Sequence, residues 1–324
     1  MMSWVMLFGG GMLLYFGAEW FVGGASALAR GLKVPNILVG LTVVAYGTSA
    51  PEVIVGVQSA ATGHGDVAIG NVVGSNIANI GLILGVSALV RPARVDGSLR
   101  ARELPVLLAS AILLPLLLLD GRVSRWEGAA LLVGAVVYTA RMVASARSAS
   151  ALARAREEAE VTSEASDMAG APRPGGLYRS VATTLVGLVV LLVGGRLFVD
   201  GAVLVARALG VSDRVVGLTV VAVGTSLPEL VTSVIAASRG HSDIAVGNVV
   251  GSNIFNVLLC LGASALAGAV GAGPGQGRLD LVVMVLMTLL LVAFIRSERV
   301  ISRREGAFAL AGYVVFIALV VADV

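Results

Sequence analysis

Charged residues and cysteine are scarce in this chain of 324 residues. Asp, Glu, Lys and Arg make up 13% of it and 57% is hydrophobic, whereas about a quarter of the residues in a soluble domain are charged. The composition therefore excludes an ordinary soluble protein. The single cysteine, Cys260, excludes an intrachain disulfide, and its position in an apolar run argues against redox chemistry.

Long apolar runs alternate with short polar breaks, which predicts an all-α polytopic membrane protein. We predict ten transmembrane helices, at about 4–29, 35–62, 67–90, 103–119, 127–145, 180–206, 213–239, 244–268, 279–296 and 305–322. The first run has no basic segment before it, so we expect it to be retained rather than cleaved as a signal peptide. A polar segment, 146–179, separates one five-helix unit, 1–145, from another, 180–324. Its charge run and its glycines favour a solvated linker over a regulatory calcium patch.

The basic residues indicate how the chain crosses the membrane. If the N-terminus lies outside, most Lys and Arg residues fall at the cytoplasmic ends of the predicted helices. We therefore predict that both termini lie outside and that the linker is cytoplasmic. The net charge of +3 is explained by this orientation and does not require a nucleic-acid partner. Abundant arginine, alanine and glycine with one lysine indicate a GC-rich prokaryote, and hence its plasma (inner) membrane.

The chain contains an internal repeat with a constant offset of 177 residues. The stretch GLTVVAYGTSAPE at Gly40 returns as GLTVVAVGTSLPE at Gly217, and GNVVGSNIAN at Gly70 returns as GNVVGSNIFN at Gly247. Because each copy holds five predicted helices, an odd number, the second copy enters the membrane from the opposite side. The sequence therefore predicts two inverted five-helix repeats, an architecture typical of transporters with a binding site near the midplane.

The motif GTS-x-PE interrupts one apolar run in each copy. Proline removes an N–H and clashes with the preceding turn, so we expect the first of these helices to break near Ala45–Ser49 and restart around Pro51. Ser49 and Glu52 have the spacing of a capping box, as do Ser226 and Glu229. Non-helical backbone at membrane depth is tolerated where it lines a cavity or is buried in protein. Carbonyl, hydroxyl and carboxylate oxygens together suit alkali and alkaline-earth cations.

The two glutamates are expected to face each other across a pseudo-twofold axis. Facing carboxylates repel unless a cation lies between them or one is protonated, and calcium would neutralise both. The next helix of each copy carries polar residues at a spacing of four, which places them on one face: Asn71, Ser75 and Asn79, then Asn248, Ser252 and Asn256. Glycines on these helices predict close packing against a neighbour: Gly70, Gly74, Gly247 and Gly251. For four asparagines, hydrogen bonding between helices and a role in the site remain equally open: Asn71, Asn76, Asn248 and Asn253.

Other functions are disfavoured by the residues. GHGD, at 63–66, fits a pattern of intramembrane aspartyl proteases, but the second copy reads GHSD and no tyrosine–aspartate partner occurs in another helix. A hydrolase using the glutamates as an acid–base pair lacks a nucleophile and a metal-ligand cluster. A channel needs a continuous pore, which two broken helices do not require. We therefore predict a transporter and not an enzyme.

The doubled GTS-x-PE and GNVxGSNIxN motifs resemble the cation/calcium exchanger family, particularly the prokaryotic sodium/calcium exchangers, over essentially the whole chain. The resemblance implies a secondary active antiporter that exchanges sodium for calcium by alternating access. It also implies a four-helix core over which the first and sixth helices slide. The implied partners are calcium and sodium ions and the lipid bilayer, with no cofactor and no required oligomer. A proton/calcium antiporter using the same glutamates remains the alternative.

The family motif also implies the cation ligands. In the first copy they are the Ala45 carbonyl, Thr48, Ser49, Glu52, Ser75 and Asn79, and in the second the Ala222 carbonyl, Thr225, Ser226, Glu229, Ser252 and Asn256. Asn256 stands where potassium-dependent exchangers carry aspartate, which predicts a potassium-independent protein. His64 and His241 do not match the histidine found near the acidic residue of proton-coupled relatives.

Overall fold

The computed structural model describes residues 2–95, 97, 99–163, 176–210, 224–271, 278–297 and 300–322, with 153–163 as backbone only. The chain is mostly helical, as predicted. Its helices are Met2–Leu32 (α1), Asn36–Thr48 (α2), Ala50–Ala61 (α3), Gly65–Val90 (α4), Leu104–Leu117 (α5), Arg125–Ser163 (α6), Gly176–Ala208 (α7), Leu227–Ser238 (α8), Ser242–Ala267 (α9), Arg278–Ser297 (α10) and Arg303–Ala322 (α11). The predicted linker is thus helical through Ser163.

Seven helices in the described part of the chain are long and apolar enough to cross a membrane: α1, α4, α6, α7, α9, α10 and α11. The pair α2 and α3, bent by 43°, makes an eighth if it is counted as one span. The other two predicted spans contain α5, with 14 residues, and α8, with 12. The residues that precede α8, 211–223, lie outside the described ranges, so the prediction of ten spans stays a prediction.

Helices α4 and α9 form the centre of the molecule. In their most apolar windows 78% and 89% of the residues are buried, against 22–33% for the other candidate spans. Glycines let α9 pack directly on the backbone of α2, as predicted for this copy. A Cβ on Gly247 would lie 2.7 Å from the Ile37 carbonyl oxygen, and one on Gly251 would lie 2.8 Å from the Ala45 Cβ. Most of the segment equivalent to α2 in the other copy, 213–225, lies outside the described ranges, so the matching prediction for α4 is untested.

Helices α1 and α7 pack against each other along their length in antiparallel orientation. Both carry glycine at every seventh position of the contact, which keeps the glycines on one face: Gly10, Gly17 and Gly24 on α1, and Gly187, Gly194 and Gly201 on α7. A Cβ on Gly194 would lie 2.5 Å from the Leu14 nitrogen. The two backbones therefore approach as closely as glycine permits.

Four two-residue strands join the sequence copies at two places. Ala93–Arg94 (β1) pairs with Val300–Ile301 (β4), and Arg122–Val123 (β2) pairs with Val270–Gly271 (β3), both antiparallel. At the repeat offset, β1 is equivalent to β3, and β2 overlaps β4. Each strand therefore pairs with the opposite copy, and the two pairings are reciprocal.

Candidate cation site

The expected helix break is present in the first copy, and the equivalent serine of the second copy has the same backbone conformation. Ser49, with φ −80° and ψ 4°, separates α2 from α3, and Ser226, with φ −90° and ψ 6°, precedes α8. The predicted capping boxes are wrong, because neither serine side chain hydrogen-bonds to the start of the following helix. The Ser49 N–H, which the Glu52 side chain of a capping box would bind, donates instead to the Ala45 carbonyl at 3.0 Å.

The two serine hydroxyls donate instead to glutamates of the opposite copy. Ser49 Oγ donates to Glu229 Oε1 at 3.3 Å, and Ser226 Oγ donates to Glu52 Oε1 at 3.4 Å. The contacts are equivalent at the repeat offset, so the four predicted ligands meet in one reciprocal arrangement. The breaks in α2–α3 and before α8 bring these groups together.

Both carboxylates lie in the interior and are only partly satisfied. Glu52 is 1% exposed and Glu229 is 2% exposed. Among the described residues, Oε2 of each glutamate is buried without a hydrogen-bond partner. A buried charge without a partner is costly. These oxygens therefore fit a group that supplies positive charge, either a metal cation or a proton.

Two amide pairs join α4 and α9 next to the glutamates' helices. Asn79 Nδ2 donates to Asn253 Oδ1 at 2.9 Å, and Asn256 Nδ2 donates to Asn76 Oδ1 at 3.1 Å. The Oδ1 atoms of Asn79 and Asn256, the predicted ligands, are buried without a partner in the described part of the chain. Each also begins a π-helical segment, Asn79–Leu84 or Asn256–Leu261, a local distortion that is frequent at functional sites.

Asn71 and Asn248 hydrogen-bond to neighbouring helices. Asn71 Nδ2 donates to the Glu52 carbonyl at 3.0 Å, and the Cys260 thiol donates to the same oxygen at 3.1 Å. Asn248 Nδ2 donates to Ser233 Oγ at 3.0 Å, and its Oδ1 accepts from Thr48 Oγ1 at 3.2 Å. These two asparagines therefore hold α3 and α8 against α4 and α9.

The remaining predicted ligands differ in their burial and in their hydrogen bonds. The Ala45 carbonyl accepts from the Ser49 N–H at 3.0 Å, so it takes part in α2 and keeps one lone pair. Thr48, Ser75 and Ser252 are buried, and Ser252 Oγ donates to Asn248 Oδ1 at 3.5 Å. Thr225 is half-buried. Ala222 lies outside the described residues.

A crevice with a volume of about 380 Å³ lies next to the two helix starts that carry the glutamates. It lies between α3 and α7, and its lining includes Pro51, Thr225 and Pro228. Arg196 and Asp200 also line it, and they form an ion pair one helical turn apart, with Arg196 Nε 4.0 Å from Asp200 Oδ2. Thr225, a predicted ligand, therefore lines this crevice.

A contact of another kind ties α1 to the loop between α8 and α9. Arg239 Nη2 lies 2.7 Å from Glu19 Oε1, and Ser26 Oγ lies 3.2 Å from His241 Nε2. At the repeat offset Glu19 corresponds to Arg196 and Arg239 to Thr62, so the second copy does not reproduce this pair.

The cation site has few charged groups. In the ranges that the structure describes, no three His, Cys, Asp or Glu side chains gather in a way that could hold a metal ion. A cation here would therefore be held by two carboxylates and by neutral hydroxyl, amide and carbonyl oxygens. Oxygen ligands of this kind match hard cations such as calcium.

The family model described as sodium/calcium exchanger protein matches residues 2–144 and 179–322. The chain belongs to the sodium/calcium exchanger family. Sodium/calcium exchanger MaX1 of Methanosarcina acetivorans is 32% identical over 340 residues, covering 97% of each chain. Inner membrane protein YrbG of Escherichia coli is 36% identical over 321 residues, covering 98% of this chain and 97% of the relative.

The fold agrees with this membership. The solved structure of the sodium-calcium exchanger NCX_Mj, soaked with sodium and calcium, superposes with a TM-score of 0.84 and 34% identity, covering 98% of each chain. The resemblance read from the doubled motif is therefore confirmed. The family is one of membrane exchangers and not of enzymes.

Proposed function

We propose that this exchanger carries sodium in one direction and calcium in the other, with the two ions competing for Glu52 and Glu229. The main support is the reciprocal contact between each glutamate and the serine of the opposite copy. In the described residues, one buried oxygen of each carboxylate also has no hydrogen-bond partner. Calcium would neutralise both carboxylates. Thr48, Ser75, Ser252, Asn79 and Asn256, with backbone carbonyls and Thr225, would complete the coordination of the ions.

Exchange requires that the empty site cross the membrane less readily than the loaded one. Two unpaired carboxylates in a low-dielectric interior oppose such a step, and a bound cation removes that opposition. We propose that the crevice between α3 and α7 gives the site access from one side, and that the glycine-packed pair α1 and α7 slides over α2, α3, α4, α8 and α9 to open the other side.

The proposal includes ten transmembrane helices in two inverted repeats, with both termini outside a prokaryotic plasma membrane. In that topology β1 and β4 fall on the cytoplasmic side, and β2 and β3 fall outside. Each observed strand pair thus joins segments assigned to the same face, which supports the topology. Asn256, in place of an aspartate, supports potassium independence. The cation site lies within one chain, so a second copy is not required for it.

Calcium flux into proteoliposomes tests this function. Imposed gradients of sodium, protons and potassium are compared one at a time, with Glu229→Gln as the inactive control. We expect a sodium gradient alone to drive calcium. Calcium flux driven only by a proton gradient would show instead a proton/calcium antiporter that uses the same glutamates. Calcium flux that depends on no gradient, or no calcium flux at all, would refute the exchange of sodium for calcium.

A further inference from the structure

We propose that Asn76 and Asn253 are positioning residues, which turn the amides of Asn256 and Asn79 so that each Oδ1 faces the transported cation. The inference rests on the proposed function, because it assigns a cation to these oxygens. It concerns four asparagines whose side chains form two equivalent pairs between α4 and α9.

An asparagine side chain can bind a cation at one end only. Its Oδ1 is an acceptor, whereas its Nδ2 carries two hydrogens and repels positive charge. The two ends have nearly the same shape, so packing alone does not choose between them. A ligand asparagine therefore needs a fixed partner that recognises the NH₂ group.

Asn76 and Asn253 supply that partner. The Oδ1 of Asn76 accepts from Asn256 Nδ2, and the Oδ1 of Asn253 accepts from Asn79 Nδ2. All four side chains are at most 3% exposed, so bulk water cannot satisfy a reversed amide. With their NH₂ groups engaged, Asn79 and Asn256 hold buried Oδ1 atoms that have no partner within the described ranges.

A residue of α10, Met284, stabilises the orientation of the Asn76 amide. Its Nδ2 lies 3.6 Å from the Met284 sulfur, a weak acceptor. A reversed Asn76 would bring its oxygen to that sulfur and its NH₂ group to the NH₂ of Asn256. Asn253 Nδ2 has no partner in the described part of the chain. The Asn76–Asn256 pair is therefore the better-defined one for a test.

Replacing the ligand asparagine by aspartate separates positioning from general packing. The two oxygens of a carboxylate are equivalent, so Asp at position 256 presents an oxygen whichever way it is turned. The experiment measures equilibrium binding of radioactive calcium to the purified full-length protein in detergent, for Asn76→Leu, Asn256→Asp and the double variant. Thermal unfolding identifies any variant that is not folded.

We expect Asn76→Leu to weaken calcium binding about tenfold in the wild-type background, the size of one lost hydrogen bond. In the Asn256→Asp background we expect Asn76→Leu to weaken calcium binding by less than about threefold. Equal losses in both backgrounds, or no loss in either, would overturn the positioning role. If Asn76→Leu does not fold, the equivalent cycle with Asn253→Leu and Asn79→Asp makes the same comparison.

The wild-type protein separates this inference from the proposed function. Wild-type protein that binds neither calcium nor sodium would refute the cation site itself. If the wild-type protein binds calcium but the effects of Asn76→Leu and Asn256→Asp simply add in the double variant, only the proposed orientation of the amides is refuted. Displacement of the bound calcium by sodium, measured in the same samples, reports whether the two ions share the site.

Discussion

Ser226 Oγ lies 3.4 Å from Glu52 Oε1, although 174 residues separate the two in the chain. The equivalent contact from Ser49 to Glu229 spans 180 residues. Each carboxylate is therefore completed by the opposite copy of the repeat. Neither copy could form this site alone, and a change in one copy alters the ligand environment of the other.

Removing either carboxylate should abolish exchange. Glu52→Gln and Glu229→Gln keep the shape of the side chain but remove the charge that attracts and neutralises the cation. We expect calcium flux in proteoliposomes to fall to the level of empty vesicles in both variants. Glu127→Gln, at the half-buried start of α6, where the carboxylate accepts from the Ser124 N–H, is the matched control and should keep wild-type flux. Calcium exchange by both site variants would remove these glutamates from the mechanism.

The two serines should contribute equally. Ser49→Ala and Ser226→Ala each delete one hydrogen bond to a carboxylate, worth roughly 1.5–3 kcal/mol, so we expect calcium binding to weaken by about tenfold or more. Ser59→Ala, at a position on α3 that makes no contact with the glutamates in the described residues, controls for loss of a hydroxyl. Titration of calcium binding checks this. A large effect from one serine and none from the other would contradict the reciprocal arrangement.

Adding charge at position 256 should change ion preference. Asn256→Asp places a third carboxylate beside a site that now has two, and a third negative charge favours a further bound cation. We expect an imposed potassium gradient to alter calcium flux in this variant and to leave the wild-type flux unchanged. Comparison of flux under potassium and sodium gradients tests this. An unchanged ion profile would show that position 256 does not set selectivity.

The ion pair between Glu19 and Arg239 should affect turnover rather than binding. It joins α1 to the loop after α8, so its loss should make it easier for α1 to leave that position. We expect Glu19→Gln to raise the initial rate of calcium uptake about twofold or more, a small change in barrier height. Calcium affinity should remain at its wild-type value. The double variant Glu19→Arg with Arg239→Glu should restore the wild-type rate. Unchanged uptake in Glu19→Gln and Arg239→Gln would show that the pair does not influence transport.

The repeat made much of the site predictable. Proline and glycine in an apolar run indicated the helix break, and the duplication indicated that Glu52 and Glu229 belong to one site. The partner of Ser49 was predicted wrongly because capping-box spacing is a local signal. A buried carboxylate from the other copy competes for the same hydroxyl, and a sequence pattern within one helix does not report it.

Features that break the repeat were the ones that sequence reasoning missed. Glu19 and Arg239 have no matching pair in the other copy, and 220 residues separate them, so neither symmetry nor spacing points to the contact. Cys260 corresponds to Ile83, and its bond to the Glu52 carbonyl depends on the packing of α3 against α9. Asn76 and Asn253, by contrast, occupy equivalent positions in the two copies, so the repeat does point to them. Their spacing left two roles open, and only the direction of each amide distinguishes them.

The strand pairs at Ala93–Arg94 and Arg122–Val123 have a consequence for biosynthesis. Each needs a partner that the ribosome makes well over a hundred residues later. The first half of the newly made protein must therefore wait in the membrane with its strand edges unpaired. Completion of translation, rather than insertion of the first helices, is then the step that gives the chain its final shape. A chain truncated before residue 270 would leave both strands without partners.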